Sequence, residues 1–340
     1  MQPKRKSKSS IMSSKLLSHR SALNNVVKRI AVEAGELILE YFEGMRDMKL
    51  AQKGDGSPVT LADQEAEVLI EERLLAVLPD IPVIGEESHA SGRRIDLKAQ
   101  EYFWLVDPLD GTRAFVRGEG DFTVNIALIH NSEPVLGVVY APEKGEMYSG
   151  FFDTDGNAHA SRFFEESTRE KDLRARTMPK KGLTIMSSGY YGDSSAQDKF
   201  LDGLKVATIV RRASSIKICT IASGKADLYP RFGPTCEWDT AAGHALLRAA
   251  GGDIRDMQGN PLRYGVGKDD LINPDFIAAS NDVLDHFWGE YNSKIQLILF
   301  FIRRMTIITY AYERATTIWL FYSRNVLCDL LCFVCILCAD

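Results

Sequence analysis

The sequence predicts a layered α/β protein with two sub-domains, because three kinds of pattern follow one another along the chain. Two amphipathic helices come first, with apolar residues at helical spacing. Strand-like segments joined by short turns follow and predict an antiparallel meander. Strands and helices then alternate beyond a polar, charge-dense segment. The chain has 340 residues, of which 45% are hydrophobic, so it can bury a substantial core.

The individual elements can be placed from their apolar residues. The two helices are marked by Leu23, Val26, Val27, Ile30, Ala34, Leu37, Ile38 and Tyr41, and by Ala66, Leu69, Ile70, Leu74 and Leu75. The first strands read "IPVIG", "YFWLV", "FTVNIALIH", "PVLGVVYA" and "EMYSGFF". Later strands read "LTIMSS", "VATIVRR", "ADLYP" and "FIAAS", with helices from about Ser214 and from Asp239 to Ala250. These elements predict sub-domains at 21–160 and 183–290, joined by a linker at 161–182.

The two ends of the chain differ from its middle. Residues 1–20 are basic and rich in Ser, which favours a disordered leader; part of an organelle transit peptide is the alternative. Residues 291–340 contain apolar runs broken by charged pairs, and none reaches the roughly 18 uncharged residues of a membrane span. Four cysteines of this tail could form a metal cluster, although their apolar context favours a foreign extension instead: Cys328, Cys332, Cys335 and Cys338.

Charge and cysteine content exclude some classes of function. The net charge is −5, but the first 30 residues carry eight Lys and Arg and no acidic residue, which leaves −13 for the rest. An acidic body argues against a nucleic-acid-binding surface and suits a protein that collects cations. Only Cys219 and Cys236 lie in the body, and no secretory signal is recognisable. We therefore expect a reducing, cytoplasmic location, with organelle targeting by the leader as the alternative.

The stretch "WLVDPLDGTRAF" holds two carboxylates at the end of an apolar strand. Asp107 and Asp110 emerge at the strand's carboxyl end, and Gly111 and Thr112 turn the chain into a helix. Backbone amides at a helix start favour a phosphate, which the carboxylates would repel unless cations intervene. Hard oxygen ligands in that position favour Mg²⁺. An ordinary Asp-Gly turn with a helix cap is the alternative for this motif alone.

Two further acidic segments strengthen the magnesium interpretation. "VIGEESH" places Glu86 and Glu87 directly after another short apolar strand, where a solvated acidic loop is the alternative. "EWDTAAGHALLRAAGG" places Asp239 in the first turn of an Ala-rich helix, where it could simply be a cap. Together the carboxylates at 86, 107, 110 and 239 supply what a two-metal phosphoryl-transfer site needs.

These motifs resemble a known family. "GEES", "DPLDGT" and "WDTAAG" are the three signatures of the lithium-sensitive, Mg²⁺-dependent phosphatases that include inositol monophosphatase. "SPVTLAD", "GDFTVNIALI", "PVLGVVYAP" and "LYPRFGPTCEWDTAAGHALLRAAGG" look most like the CysQ-type 3′(2′),5′-bisphosphate nucleotidases. The resemblance covers about 21–288. It implies an αβαβα sandwich and excludes both the leader and the tail.

The resemblance also implies a role for each site residue. About two or three Mg²⁺ ions per site would be coordinated by Glu86, Asp107, the backbone carbonyl of Leu109, Asp110 and Asp239. Asp63 and Thr112 would orient and deprotonate the attacking water, and the backbone of Gly111 and Thr112 would hold the phosphate. A purely structural role is the alternative for Asp63, because "TLAD" from Thr60 has the spacing of a capping box at the start of a helix.

Substrate recognition is implied by "SSIKICTIASGKADLYPR". Ser214, Lys217 and Arg231 would face the nucleotide with Asp239, and the two cations would bind a second phosphate. Simple solvation of both cations is the alternative. Two segments depart from the family pattern: "SSGY" at 187–190 puts Tyr190 where many relatives carry a His. "DGTRAF" replaces "DGTKEF" and also resembles histidinol-phosphate phosphatases of the same superfamily.

The expected function is release of the 3′-phosphate of adenosine 3′,5′-bisphosphate to leave AMP, with the 5′-phosphosulfate analogue as a second substrate. Such an enzyme relieves product inhibition in sulfate assimilation and sulfation. The alternatives are an inositol monophosphatase, a histidinol-phosphate phosphatase, or a non-catalytic nucleotide or metal sensor. We expect a small phosphorylated nucleotide as the only partner, no nucleic acid or membrane, and a monomer or homodimer.

Overall fold

Helices and strands alternate in the computed structural model, which describes residues 15–49, 58–165, 169–189, 194–267 and 270–288. The helices are α1 (Arg20–Lys49), α2 (Pro58–Val77), α3 (Glu86–Ala90), α4 (Thr112–Val116), α5 (Ser194–Leu201), α6 (Ile216–Ala222) and α7 (Glu237–Ala249). The strands are β1 (Val83–Gly85), β2 (Tyr102–Asp110), β3 (Thr123–His130), β4 (Glu133–Ala141), β5 (Glu146–Phe152), β6 (Ala158–Phe164), β7 (Glu170–Asp172), β8 (Leu183–Ser188), β9 (Val206–Arg212), β10 (Leu228–Arg231), β11 (Gly252–Asp256) and β12 (Phe276–Ser280).

The first sheet has seven strands in the order β1 to β7. Strand β1 pairs parallel to β2, and every later neighbour pairs antiparallel, as expected for a meander of hairpins. Helices α1 and α2 cover one face of this sheet. Their apolar residues recur at helical spacing, so that Val27, Ile38 and Ile70 pack with Trp104 and Val124 of the sheet in one buried core.

The second sheet has five strands in the order β11-β12-β10-β8-β9. Strand β8 pairs parallel to β9 and β10, and α5 lies between β8 and β9 in the chain. Helices α6 and α7 contact strands of both sheets and belong to a second buried core between them. The layers therefore run from helices to sheet to helices to sheet, and the predicted layered α/β class is confirmed.

The described segments differ from the sequence predictions at three places. The charged stretch expected as a linker contains part of β6 and all of β7, because Glu170 pairs with Lys28 of α1 and with Ser161 of β6. Helix α7 begins at Glu237, two residues early, because the Asp239 carboxylate accepts the Cys236 N–H and caps the helix from within. Thr60 lies inside α2, which argues against the capping-box interpretation of "TLAD".

The sub-domain boundaries at 21–160, 161–182 and 183–290 stay a prediction. Residues 1–14 of the expected leader and the whole tail 291–340, with its four cysteines, lie outside the described residues. Residues 15–18 are helical, and Leu16 and Leu17 pack against the first core. None of the described helices has the length and apolar character of a membrane span.

Candidate active site

A cavity of about 300 Å³ brings the predicted site residues together. Its walls come from β2, α3, α4, α6, β10 and α7, so both sheets contribute. It is lined by every predicted site residue except Asp63, namely Glu86, Asp107, Leu109, Asp110, Gly111, Thr112, Ser214, Lys217, Arg231 and Asp239. Asp63 is 5% exposed and close enough to Glu86 and Asp110 for their charges to act on it.

The end of β2 delivers the two aspartates of "DPLDGT". The register with β3 is regular up to Asp107, shifts, and resumes at Asp110, so the strand bulges between the two carboxylates. Asp107 is buried and its Oδ1 accepts the Leu109 N–H at 3.0 Å. Gly111 then turns the chain into α4 with φ of 97°, and a Cβ there would lie 2.7 Å from the Asp121 carbonyl oxygen. Glycine is therefore required both for conformation and for space.

The carboxylates that line the cavity, Glu86, Asp107, Asp110 and Asp239, form an acidic wall in which the negative charges repel one another. Burial, followed by the neighbouring carboxylates, raises the pKa of Asp63 to about 9, of Glu86 to about 7 and of Asp239 to about 8. Burial and the charges of Glu86 and Asp110 hold the pKa of Asp107 well above its ordinary value. Without a positive partner these carboxyls bind protons instead of ionising together.

The donor set fits Mg²⁺. It consists of carboxylate oxygens with one main-chain carbonyl, at Leu109, and Asp63 Oδ1 is buried with no hydrogen-bond partner. Among the residues the structure describes, no three Asp, Glu, His or Cys side chains already form a closed ligand set. The candidate set also keeps positions for water and phosphate, as a catalytic site needs.

The same cavity also has a cationic wall, formed by Lys217 and Arg231, and both side chains are buried. Lys217 is 6% exposed, donates from Nζ to the Ser214 carbonyl at 2.5 Å, and lies 5.3 Å from the centre of the Tyr229 ring. Burial lowers the pKa of Lys217 to about 8. Arg231 is also 6% exposed and donates to the Pro234 carbonyl at 3.0 Å. The alternative that these two cations are simply solvated is therefore wrong.

Two residues that sequence reasoning missed form hydrogen bonds to carboxylate residues of the acidic wall. Ser215 Oγ lies 3.0 Å from Asp110 Oδ2 and 2.7 Å from the Asp239 carbonyl oxygen. Asn125 donates from Nδ2 to Ser215 Oγ at 3.0 Å and to Asp110 Oδ2 at 3.3 Å. In the sequence, Asn125 could have been noticed because it is an amide side chain inside the apolar strand "FTVNIALIH". Ser215 had no signal that separated it from Ser214, which adopts a left-handed conformation with φ of 53°.

The two departures from the family pattern fall at different places. Arg113, from "DGTRAF", lines the cavity beside Thr112. Ser188, from "SSGY", lines it too, whereas Tyr190 lies outside the described residues.

The raised pKa values predict a pH dependence of stability in the metal-free protein. Asp63, Glu86 and Asp239 bind protons in the folded state at pH values where the unfolded chain has released them, so the free energy of unfolding falls as pH rises from 5 to 8. His244, whose pKa burial lowers, has the opposite effect, but Asp107 and Glu237, whose pKa values burial raises, add to the fall. We expect the unfolding temperature in chelator to fall across this range, and Mg²⁺ to reduce the fall. A flat profile in chelator would contradict the clustered carboxyls.

Three comparisons with known proteins identify the family of this chain. The profile described as "Inositol monophosphatase family" matches residues 19–295. The 3′(2′),5′-bisphosphate nucleotidase CysQ of Escherichia coli K12 is 41% identical over 250 residues, covering 74% of this chain and 96% of that protein. That of Salmonella typhimurium is 42% identical with the same coverage.

Solved structures give the same result. The crystal structure of CysQ from Bacteroides thetaiotaomicron, described as a bacterial member of the inositol monophosphatase family, superposes with a TM-score of 0.61 at 34% identity and covers 79% of this chain and 97% of its own. SuhB of Mycobacterium tuberculosis shares the fold, with a TM-score of 0.59 at 23% identity, covering 79% and 95%. The resemblance inferred from the sequence is confirmed, and with it the metal dependence, generally on Mg²⁺, that characterises these phosphatases. The chain belongs to the inositol monophosphatase family.

Proposed function

We propose that this chain is a Mg²⁺-dependent 3′(2′),5′-bisphosphate nucleotidase that releases the 3′-phosphate of adenosine 3′,5′-bisphosphate and leaves AMP. The 5′-phosphosulfate analogue is a second substrate. The observation that carries the proposal is one cavity with an acidic wall and a buried cationic wall. The curated relatives named as bisphosphate nucleotidases support it over the two monophosphatase alternatives.

The acidic wall supplies the metal ligands in this proposal. Glu86, Asp107, Asp110, Asp239 and the Leu109 carbonyl would hold about two or three Mg²⁺ ions. Bound Mg²⁺ would lower the pKa of a coordinated water and stabilise charge on the leaving ribose oxygen. Ser215 and Asn125 hold Asp110 through hydrogen bonds to its Oδ2, which restricts the carboxylate before any ligand arrives.

In this proposal, Asp63 accepts a proton from the attacking water, and Thr112 helps to orient that water. Asp63 can accept a proton from water only when it is ionised, and positive charge beside Glu86 and Asp110 favours that form because it cancels their repulsion. Thr112 Oγ1 donates to the Leu109 carbonyl at 3.3 Å, so the hydroxyl oxygen keeps lone pairs that can orient a water. The backbone amides of Gly111 and Thr112 would hold the phosphate at the start of α4.

The cationic wall selects the substrate. Lys217 and Arg231 would bind the second phosphate of the nucleotide, with Ser214 beside them. A monophosphate such as inositol 1-phosphate has no second phosphate to bind these two buried cations, so it would gain less binding free energy from this wall. A non-catalytic sensor is disfavoured because the chain keeps every proposed metal ligand together with Asp63 and Thr112.

The identity of the product tests this assignment. Adenosine 3′,5′-bisphosphate is incubated with the full chain and Mg²⁺, and the nucleotide products are separated and identified. We expect 5′-AMP and inorganic phosphate in equal amounts, with no product when Mg²⁺ is removed by chelation. Accumulation of 3′-AMP would show that the substrate binds in the reverse orientation and would refute the assignment of the two walls.

Lithium should inhibit the enzyme. The family resemblance implies that Li⁺ competes for one magnesium position, and the carboxylate-rich wall contains no softer ligand that would exclude it. We expect turnover to fall as LiCl is raised, whereas equal concentrations of KCl leave it unchanged. Indifference to Li⁺ at concentrations far above those of the substrate would weaken the proposed ligand set.

A further inference from the structure

Gly85, in the "GEES" motif, lies against a carboxylate that the proposed mechanism does not use. A Cβ at Gly85 would lie 2.1 Å from the carboxyl carbon of Glu67. The backbone of Gly85 is extended, with φ of −107° and ψ of 164°, a conformation that any residue adopts. The glycine is therefore required for space, and Glu67 is the group that occupies the space.

The Glu67 carboxylate forms hydrogen bonds to the first turn of α3. It is 4% exposed, and its two carboxylate oxygens accept the N–H of Glu87 at 2.7 Å and of Ser88 at 2.8 Å. These are two of the N–H groups that a helix leaves unpaired at its start. Ser88 Oγ lies 3.3 Å from both the N and the O of Gly85, which closes the turn on the other side.

Another buried carboxylate beside the acidic wall is unfavourable unless nearby groups compensate its negative charge. Glu67 lies one helical turn after Asp63 on α2, and its charge adds to the repulsion that acts on Asp63 and Glu86. The helix-start amides of α3 offset that repulsion, because they place partial positive charge and two hydrogen-bond donors at the carboxylate. The same helix begins at Glu86, the proposed metal ligand.

We propose that Glu67 is a positioning residue for the metal site. Its hydrogen bonds fix the backbone at the start of α3, and Glu86, the first residue of that helix, is thereby held at the edge of the cavity. The inference rests on the proposed role of Glu86 as a metal ligand. Glu67 does not line the cavity, and both of its oxygens already accept hydrogen bonds, so it acts through α3 and not as a ligand itself.

The test compares Glu67→Gln with Glu71→Gln in the full chain. Glu71 lies one turn further along α2, and its carboxylate pairs with Arg93 at 2.6 Å, so the control removes the same charge from the same helix. Mg²⁺ binding to metal-free protein is measured by calorimetry without substrate, beside the unfolding temperature. We expect Glu67→Gln to weaken Mg²⁺ binding about 10- to 100-fold, because an amide cannot accept both N–H groups. Glu71→Gln should bind Mg²⁺ normally.

A second variant approaches the same contact from the other side. Gly85→Ala keeps Glu67 but displaces its carboxylate, so we expect weaker Mg²⁺ binding in a protein that still folds. Gly44→Ala serves as its control, because Gly44 lies in α1 and an added Cβ there has no neighbour within 4 Å. These measurements need no turnover, so they stand even if the proposed substrate is wrong. Unchanged Mg²⁺ binding in both variants would overturn the inference. So would normal binding with turnover abolished at saturating Mg²⁺, because Glu67 would then take part in the chemistry directly.

Discussion

Replacing Asp239 by Asn is expected to reduce turnover in saturating Mg²⁺ by at least about a thousandfold while the protein stays folded. Asp239 is half-buried in the first turn of α7, and its Oδ2 accepts the Cys236 N–H at 2.8 Å. An Asn side chain keeps the shape and the oxygen acceptor of this cap. It removes the negative charge that would hold a cation between the protein and an anionic substrate.

The same substitution should not destabilise the metal-free protein near neutral pH. Burial and the charge of Asp110 raise the pKa of Asp239 to about 8, so its ionised form opposes folding and a neutral amide does not. We expect the unfolding temperature in chelator to match or exceed that of the unmodified chain, and the stabilisation by Mg²⁺ to shrink. Near-normal turnover in Mg²⁺ would show that Asp239 is only a helix cap.

Replacing Arg231 by Ala is expected to lower kcat/KM for adenosine 3′,5′-bisphosphate about ten- to a hundredfold. A charge-assisted hydrogen bond is worth about 1.5 to 3 kcal/mol, and only a bisphosphate presents a second dianion away from the acidic wall. Hydrolysis of inositol 1-phosphate, measured in parallel, should fall far less. The ratio of the two losses is the informative quantity, because a general loss of folding would reduce both.

Two matched variants separate charge from packing at this position. Arg231→Lys keeps the charge and should recover part of the activity towards the bisphosphate. Arg211→Ala removes an exposed cation of β9 that does not line the cavity and should leave both substrates unaffected. Equal losses on both substrates for Arg231→Ala would mean that Arg231 serves the fold or the reacting phosphate.

The convergence of the acidic residues could be predicted because each follows a short apolar strand or begins a helix. Glu86 after β1 lies beside Asp107 and Asp110 at the end of β2 because these two strands pair parallel, which brings their carboxyl ends to one edge of the sheet. The predicted antiparallel meander did not include this parallel pair. Asp239 joins them from α7, and only the family resemblance connected that helix to the same site.

The supporting groups could not be predicted, because their roles depend on contacts between distant elements. Ser215 is about a hundred residues from Asp110 in the chain, and its hydroxyl looks no different from that of Ser214 until the sheets are placed. In the sequence, Glu67 looks like an ordinary exposed residue of a helix. It is buried in the structure because Gly85, which has no side chain, lets it approach α3. The edge strand β7 and its neighbour β6 were missed because strands near a sheet edge tolerate the charged residues that sequence patterns assign to loops.

A comparison of three substrates tests the central claim most directly. Hydrolysis of adenosine 3′,5′-bisphosphate, inositol 1-phosphate and histidinol phosphate by the full chain is measured under identical Mg²⁺ concentrations, with phosphate release as the readout. The cavity with its two walls predicts the highest kcat/KM for the bisphosphate, by about a hundredfold or more, because only the bisphosphate brings a second phosphate that can form charge-assisted hydrogen bonds to the two buried cations. A higher kcat/KM for inositol 1-phosphate or histidinol phosphate would contradict the assignment of Lys217 and Arg231 to a second phosphate and, with it, the proposed function.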